Sequence, residues 1–409
     1  MRSIPDGDHI HPFLKGNFAP VTDEYIAHTC DVVYGEVPLE LKGGQYIRNG
    51  GNPVYPPEQG RHYHCLGQAE RPAERRRPLA KKGQVGMVET FRPEQGTRVI
   101  DRAGRHVVWK KGIDIGRAKM MHDFAATRTH TILLNLPLTL SPNNLFSRHP
   151  VPLIHFDRTL PSEFVIFPRL LETSPIKFQE PEPSLIFHTA NAWDEFNRDG
   201  KLVAVNMLGC RFKTAKLVYA AGAVAIPEAE QGVDDVVRLH YYRFNMTDHT
   251  THSFPLSAIP FEFPSLPHHL HMSPAKYIYG CTMRSGSFDE RLGGAAKVDC
   301  IAKMNIHALV KQPDSRSSAQ ILQDHAECSK SPIEIFALPE GWFAQEAQFV
   351  PRVVPTSEDD GFLLTYADGT PSPALGAGSE LWIIDARRLA EGMNALVARV
   401  KLPQRVPYG

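Results

Sequence analysis

Short apolar runs, closely spaced and cut by turn residues, dominate the pattern along this chain. The clearest are "TILLNL" (131–136), "FVIFP" (164–168), "SLIFH" (184–188), "KLVAVNML" (201–208) and "VVRLHYYRF" (236–244). "KYIYGC" (276–281), "KVDCIAKM" (297–304), "GFLLTY" (361–366), "ELWIIDA" (380–386) and "LVARVKLP" (396–403) continue the series. Each has the length and the Val, Ile, Leu and Tyr content of a strand, and helical spacing is scarce. The 34 prolines and 30 glycines fall mostly between the runs. This pattern predicts an all-β sandwich, barrel or propeller. A length of 409 residues favours the propeller, because a single sandwich seldom uses so much chain. No internal repeat is sharp enough to count blades.

Composition narrows the partners. Hydrophobic residues make up 42% and charged residues 22%, as in an ordinary globular protein, and the formal net charge is zero. A chain without a basic field is a poor binder of nucleic acid, so that partner class is excluded. The six cysteines (Cys30, Cys65, Cys210, Cys281, Cys300 and Cys328) include no C-x-x-C pair, so neither a zinc site nor a small disulfide framework is expected. The amino-terminal stretch lacks the apolar core of a signal peptide. The longest apolar run, "LVYAAGAVAI", is well short of the ~20 residues that span a bilayer. A cytoplasmic location is the expectation. One stretch departs from the strand pattern: residues 65–84, "CLGQAERPAERRRPLAKKGQ", are charged, contain proline and show no alternation, which predicts a solvated, linker-like loop.

Chemistry enters with "KMMHDFAATRTH" (119–130), where His122 and Asp123 stand in apolar company at the lip of a predicted strand. Taken alone, such a histidine is more often a satisfied core residue than a metal ligand, although neutral imidazole serves either role.

Several segments, in order, resemble the carotenoid cleavage oxygenase family, which includes carotenoid and stilbene dioxygenases and retinoid isomerohydrolase. They are "GNFAPVTDE" with "GEVPLELKGGQYIRNGGNPVYPP", "MMHDFAATRTH", "IFHTANAWDE", "FEFPSLP" with "KYIYG", "AQEAQFVPR" with "SEDDGFLLTY", and "LPQRVPYG". The resemblance runs from about residue 16 to 409 and is broken at about 65–95. It implies a single domain over 1–409, a seven-bladed β-propeller of the carotenoid oxygenase type, here incomplete. It also implies a non-haem Fe(II) held by four histidines, with glutamates behind them accepting the outer ring N–H groups. Matched residue by residue, His122 and His188 correspond to two of the ligands, and Glu262 and Glu346 to two of the orienting glutamates. The implied reaction is dioxygenase cleavage of a conjugated carbon–carbon double bond in a carotenoid, apocarotenoid or stilbene into two carbonyl products. The partners are a small apolar conjugated substrate and dioxygen.

Two ligand segments of the family pattern have no counterpart. The A-H-P-K-x-D type segment is replaced by the charged interval after "HYH", and the histidine that follows P-Y-G-F lies past Gly409. His62, His64, His268, His269 and His271 do not occupy elements that the family points at its axis. As written, the chain is therefore expected to hold Fe(II) weakly and to cleave little alkene. The alternative is a catalytically inactive propeller that serves as a binding protein. The stretch "PLTLSPNNLFSRHPVPLIHF" (137–156) lies where the family carries a membrane-dipping patch, and its mixed composition supports peripheral contact at most. Nothing in the sequence fixes the oligomeric state.

Overall fold

In the computed structural model, the described residues are 28–44, 87–89, 96–100, 106–116, 119–140, 154–170, 173–221, 225–288, 297–324, 331–372 and 376–407, with Val21, Tyr25 and Tyr46. All ten apolar runs fall in strands. The charged interval 65–84, His62 and His64, and the middle of the 137–156 stretch lie outside the described residues.

A short amino-terminal strand, β1 (Val32–Gly35), is followed by a three-stranded sheet of β2 (Met87–Glu89), β3 (Gly96–Ile100) and β4 (His106–Gly112). The next sheet joins β5 (Ala125–Ala126), β6 (His130–Asn135), β9 (Ser162–Pro168) and β10 (Ile176–Glu180) in that order. The hairpin of β7 (Leu138–Leu140) and β8 (Ile154–Phe156) is inserted between its second and third strands. Two up-and-down sheets follow: β11 (Leu185–Phe196) to β12 (Leu202–Phe212), β13 (Arg238–Asn245) and β14 (Thr251–Pro255), then β15 (Glu262–Ser265) to β16 (Tyr277–Thr282), β17 (Cys300–Asn305) and β18 (Ile333–Ala337). The last sheet starts with two short strands, β19 (Trp342–Ala344) and β20 (Gln348–Pro351), both paired to β21 (Gly361–Ser372). It continues through β22 (Gly376–Asp385) and β23 (Leu396–Lys401) and ends on β1. All these ladders are antiparallel, and the β11–β14 and β15–β18 sheets are four-stranded meanders of the shape expected for a propeller blade.

Where the side chains are described, strands such as β9 and β12 read as continuous apolar runs because both of their faces are covered. Phe164 of β9 lies 5.1 Å, ring to ring, from both Tyr242 and Phe244 of β13, which packs one sheet on the next. Tyr279 of β16 stacks on Phe349 of β20 at 5.1 Å, and Phe336 of β18 meets Trp382 of β22 edge-on. Such aromatic pairs add to the apolar area that drives sheet-to-sheet packing.

The first and last parts of the described chain meet in one ladder, where β1 lies on the outer side of β23. Gly35 is required at this junction. Its φ is +63°, and a Cβ there would fall 1.9 Å from the carbonyl oxygen of Val397. Three short helices, α1 (Lys216–Ala221), α2 (Ile306–Lys311) and α3 (Ser318–Asp324), occupy connections; α2 is capped by the Asn305 side chain, which accepts from Ala308 N–H at 3.2 Å. Among the described residues, no helix is long and apolar enough to cross a membrane.

Candidate metal centre

The first strands of successive sheets lie beside one another, β5 against β11 and β11 against β15. Their neighbourhood gathers the polar residues. His122 and Asp123 immediately precede β5, His188 and Thr189 lie in β11, and Glu262 opens β15. Glu346 sits in the break between β19 and β20.

The His122 and His188 imidazoles meet edge to face, with centroids 5.2 Å apart and planes at 83°. Behind His188, its Nδ1 is 2.6 Å from Oε2 of Glu262, which also accepts the backbone N–H of Phe263 at 2.6 Å. This second bond needs an unusual backbone. Phe263 has φ +53°, and the β15–β16 register shifts between Glu262 and Ser265, so a bulge turns the chain back onto the carboxylate. The carboxylate is 2% exposed, and its other oxygen, Oε1, is buried without a hydrogen-bond partner. With Nδ1–H donating to Glu262, the Nε2 lone pair of His188 is the one left to a metal ion.

The electrostatics follow from the same neighbours. Burial disfavours the charged imidazolium, but the Glu262 carboxylate, its hydrogen bond, and the charges of Asp123 and Glu346 outweigh that and hold His188 up at about 9. At neutral pH the ring is therefore protonated, and a cation binding there must displace a proton. The deeper thiol of Cys210 is pushed well up by burial, with Glu262, Asp123 and Cys281 adding to the effect, so it is a neutral core group and no thiolate donor.

Aromatic rings wall this corner. Phe187 packs edge-on against His122 at 5.7 Å, Phe263 lies 5.3 Å from His188, and Phe288 lies 5.9 Å from Phe263. Asp123 ties the strands together. Its Oδ1 accepts from Phe124 N–H at 2.8 Å, while Oδ2 accepts from Thr189 N–H at 2.8 Å and the Thr189 hydroxyl at 2.7 Å.

The structure thus brings His122, His188 and Glu262 into one cluster and puts Glu346 close enough for its charge to act on His188. His268 and His271 instead pair with each other, ring centroids 5.6 Å apart, on a short turn that Asn191 of β11 fastens through Met272 and Ser273. Among the described residues, no group of three or more His, Cys, Asp or Glu side chains is arranged to hold a metal ion. Sequence reading quoted Asp123 without giving it a role, and it missed Thr189, Phe187 and Phe288. The available signal was adjacency, since Asp123 follows one candidate histidine and Thr189 follows the other.

Comparison with known proteins places this arrangement. Residues 83–409 match the family model described as retinal pigment epithelial membrane protein. The carotenoid dioxygenase carX of Gibberella fujikuroi is 37% identical over a match that takes in 75% of this chain and 52% of that protein. A carotenoid 9,10(9',10')-cleavage dioxygenase 1 of Pisum sativum is 31% identical, covering 73% of this chain and 49% of that protein. The chain therefore spans about half the length of the curated relatives it matches. Among solved structures, a cobalt-substituted Synechocystis apocarotenoid oxygenase superposes with a TM-score of 0.56 at 20% identity, covering 77% of this chain and 56% of that one. The Pseudomonas brassicacearum lignostilbene dioxygenase does so with a TM-score of 0.57 at 18% identity, covering 77% and 58%. At that level of identity these structures speak to the fold, and the mostly-strand architecture here is that of the carotenoid oxygenase propellers. The chain belongs to the retinal pigment epithelial membrane protein family, the carotenoid oxygenases.

Proposed function

We propose that this chain carries the metal corner of a non-haem Fe(II) dioxygenase that cleaves a conjugated carbon–carbon double bond of a carotenoid, apocarotenoid or stilbene into two carbonyl products. In this reading residues 1–409 belong to a single seven-bladed propeller domain. His122 and His188 are iron ligands, and Glu262 and Glu346 orient and charge-balance them. The observation that carries the proposal is the edge-to-face contact of His122 with His188 at 5.2 Å, with Glu262 hydrogen-bonded behind His188 at 2.6 Å.

The donor set suits the metal. Two neutral imidazoles are borderline donors appropriate to Fe(II), and a buried carboxylate that fixes one tautomer is the usual support for such a ligand. When bound, iron would supply the redox chemistry that combines dioxygen with the alkene. The protein's own contribution is positional and electrostatic. Glu262 holds the His188 ring by Nδ1 and takes up the positive charge that burial would otherwise expel. Phe187 and Phe263 lie against the two imidazoles and offer apolar faces, which favour a flat conjugated hydrocarbon over a polar substrate.

The test is reconstitution with Fe(II) followed by incubation with a carotenoid, an apocarotenoid and a stilbene under labelled dioxygen. The proposal expects carbonyl products that carry the label, at low turnover, and none from His188→Ala. A chain that takes up no iron and yields no oxygen-dependent carbonyl is instead the inactive binding propeller.

A further inference from the structure

We infer that Asp123 is a positioning residue that sets the spacing of His122 and His188 by clamping the entry to β5 onto β11. The inference rests on the reading of those histidines as ligands for its chemistry, but its geometry stands alone. Upstream, the backbone is held by the Lys119–Thr139 bridge and by Met120 N–H donating to Leu138 O at 2.9 Å. Downstream, β5 has only two residues, Ala125 and Ala126, on its ladder with β6. No strand ladder holds residues 121–124 between these points. β5 and β11 belong to different sheets and share no ladder of their own.

Asp123 bridges this gap with three accepted hydrogen bonds, one from its own segment and two from Thr189. Both ends of the clamp adjoin a candidate ligand ring, since Thr189 follows His188 and Asp123 itself follows His122. A carboxylate, with an acceptor oxygen on each side, satisfies all three donors. An asparagine of the same shape would turn one oxygen into an NH2 group facing either Phe124 N–H or the Thr189 donors.

The β5–β6 turn and β11 are joined a second time, away from His122 and His188 but beside His130, whose Nδ1 lies 3.8 Å from Asp194 Oδ1. Asp194 of β11 accepts from the Thr127 hydroxyl at 2.6 Å and from Thr129 N–H at 3.2 Å, in the turn between β5 and β6. Asp194 is thus a built-in control: a carboxylate clamp of the same kind, joining the same two sheets, that is adjacent to neither His122 nor His188.

The experiment uses the full chain, metal-free, with ring-labelled histidine, and reads the nuclear Overhauser contact between the His122 and His188 rings. Wild type, Thr189→Ser and Asp194→Asn should keep this contact, whereas Asp123→Asn should lose it. In parallel, the Co(II) absorption spectrum is titrated, and Asp123→Asn should weaken binding by roughly 10–100-fold while Asp194→Asn leaves it within about twofold. If Asp123→Asn fails to fold, Thr189→Val removes only the hydroxyl bond and should weaken the ring contact and Co(II) binding in the same direction. Retention of both readouts in the Asp123 and Thr189→Val variants would overturn the inference, as would equal loss in Asp194→Asn. The underlying metal reading has its own arm. Co(II) binding that is the same in wild type and His188→Ala would sink that reading, while the ring contact still judges Asp123.

Discussion

Glu262 of β15 and Glu380 of β22 are equally buried, each 2% exposed, yet their surroundings differ in kind. Glu380 is fully satisfied. Arg399 donates to it from two nitrogens at 2.6 and 2.8 Å, Trp382 Nε1–H donates at 2.9 Å, and the guanidinium lies over the rings of Trp342 and Trp382 at 5.0 and 5.4 Å. Glu262 has one oxygen taken twice and the other without a partner, and its counter-ion is a titratable ring whose side chain is 30% exposed. A closed network with a permanent cation fixes structure. An open one, with a proton that can leave, is built for exchange.

Breaking the closed network should have the largest effect. Arg399→Ala leaves the Glu380 charge unpaired under two tryptophans and should cost about 3–5 kcal/mol, read as a lower urea midpoint with an unchanged slope. Glu262→Gln should cost only about 1 kcal/mol in the same assay run above pH 9, where the His188 proton no longer contributes, because it keeps the shape and one acceptor. Equal losses would erase the distinction between the two glutamates.

Two histidines sharpen it. His240 of β13, 8% exposed, is more enclosed than His188, and burial, together with the charges of Arg211, Arg238 and Lys213, pushes it down to about 4. The folded protein therefore binds its proton later than the unfolded chain does. Stability from this group is present above the unfolded value of about 6.5 and is lost as pH falls from there to about 4, on the order of 3 kcal/mol in total. His240→Gln should flatten the acid limb of the stability curve measured between those limits, and an unchanged limb would contradict the assignment.

Metal affinity is the next effect in size. Glu262→Gln should lower Fe(II) or Co(II) affinity about 10–100-fold, by equilibrium dialysis, while the Arg399 variant, where it remains folded, binds as wild type. The last comparison is the pH dependence of His188, whose sign is opposite to that of His240. Its folded value of about 9 lies above the unfolded one, so its stabilisation is complete below about 6.5 and is lost as pH rises through about 9. In the metal-free chain, ring resonances should titrate near 9 and move towards the ordinary histidine range in Glu262→Gln. Metal affinity should climb with pH up to the same point, because the metal competes with that proton.

Much of the fold was legible because burial on both faces writes itself as continuous apolar runs, and all ten became strands. What stayed hidden is non-local. Val32–Gly35 is too short and too exposed to stand out, and nothing in "VVYG" names β23, more than 360 residues away, as its partner. At the site, resemblance supplied His122, His188, Glu262 and Glu346. Glu262 stands between Phe261 and Phe263 in the sequence, in keeping with its burial. The positive φ of Phe263 was not legible, because the residue carries none of glycine's usual signal. The Asp123–Thr189 clamp was not legible either, because its two halves are 66 residues apart.

The most direct measurement is anaerobic Fe(II) binding to the purified chain at pH 8, comparing wild type with the His122→Ala, His188→Ala double variant. The account predicts weak, saturable uptake approaching one iron per chain in the wild type, and no saturable uptake in the double variant. Identical uptake by the two proteins would contradict it.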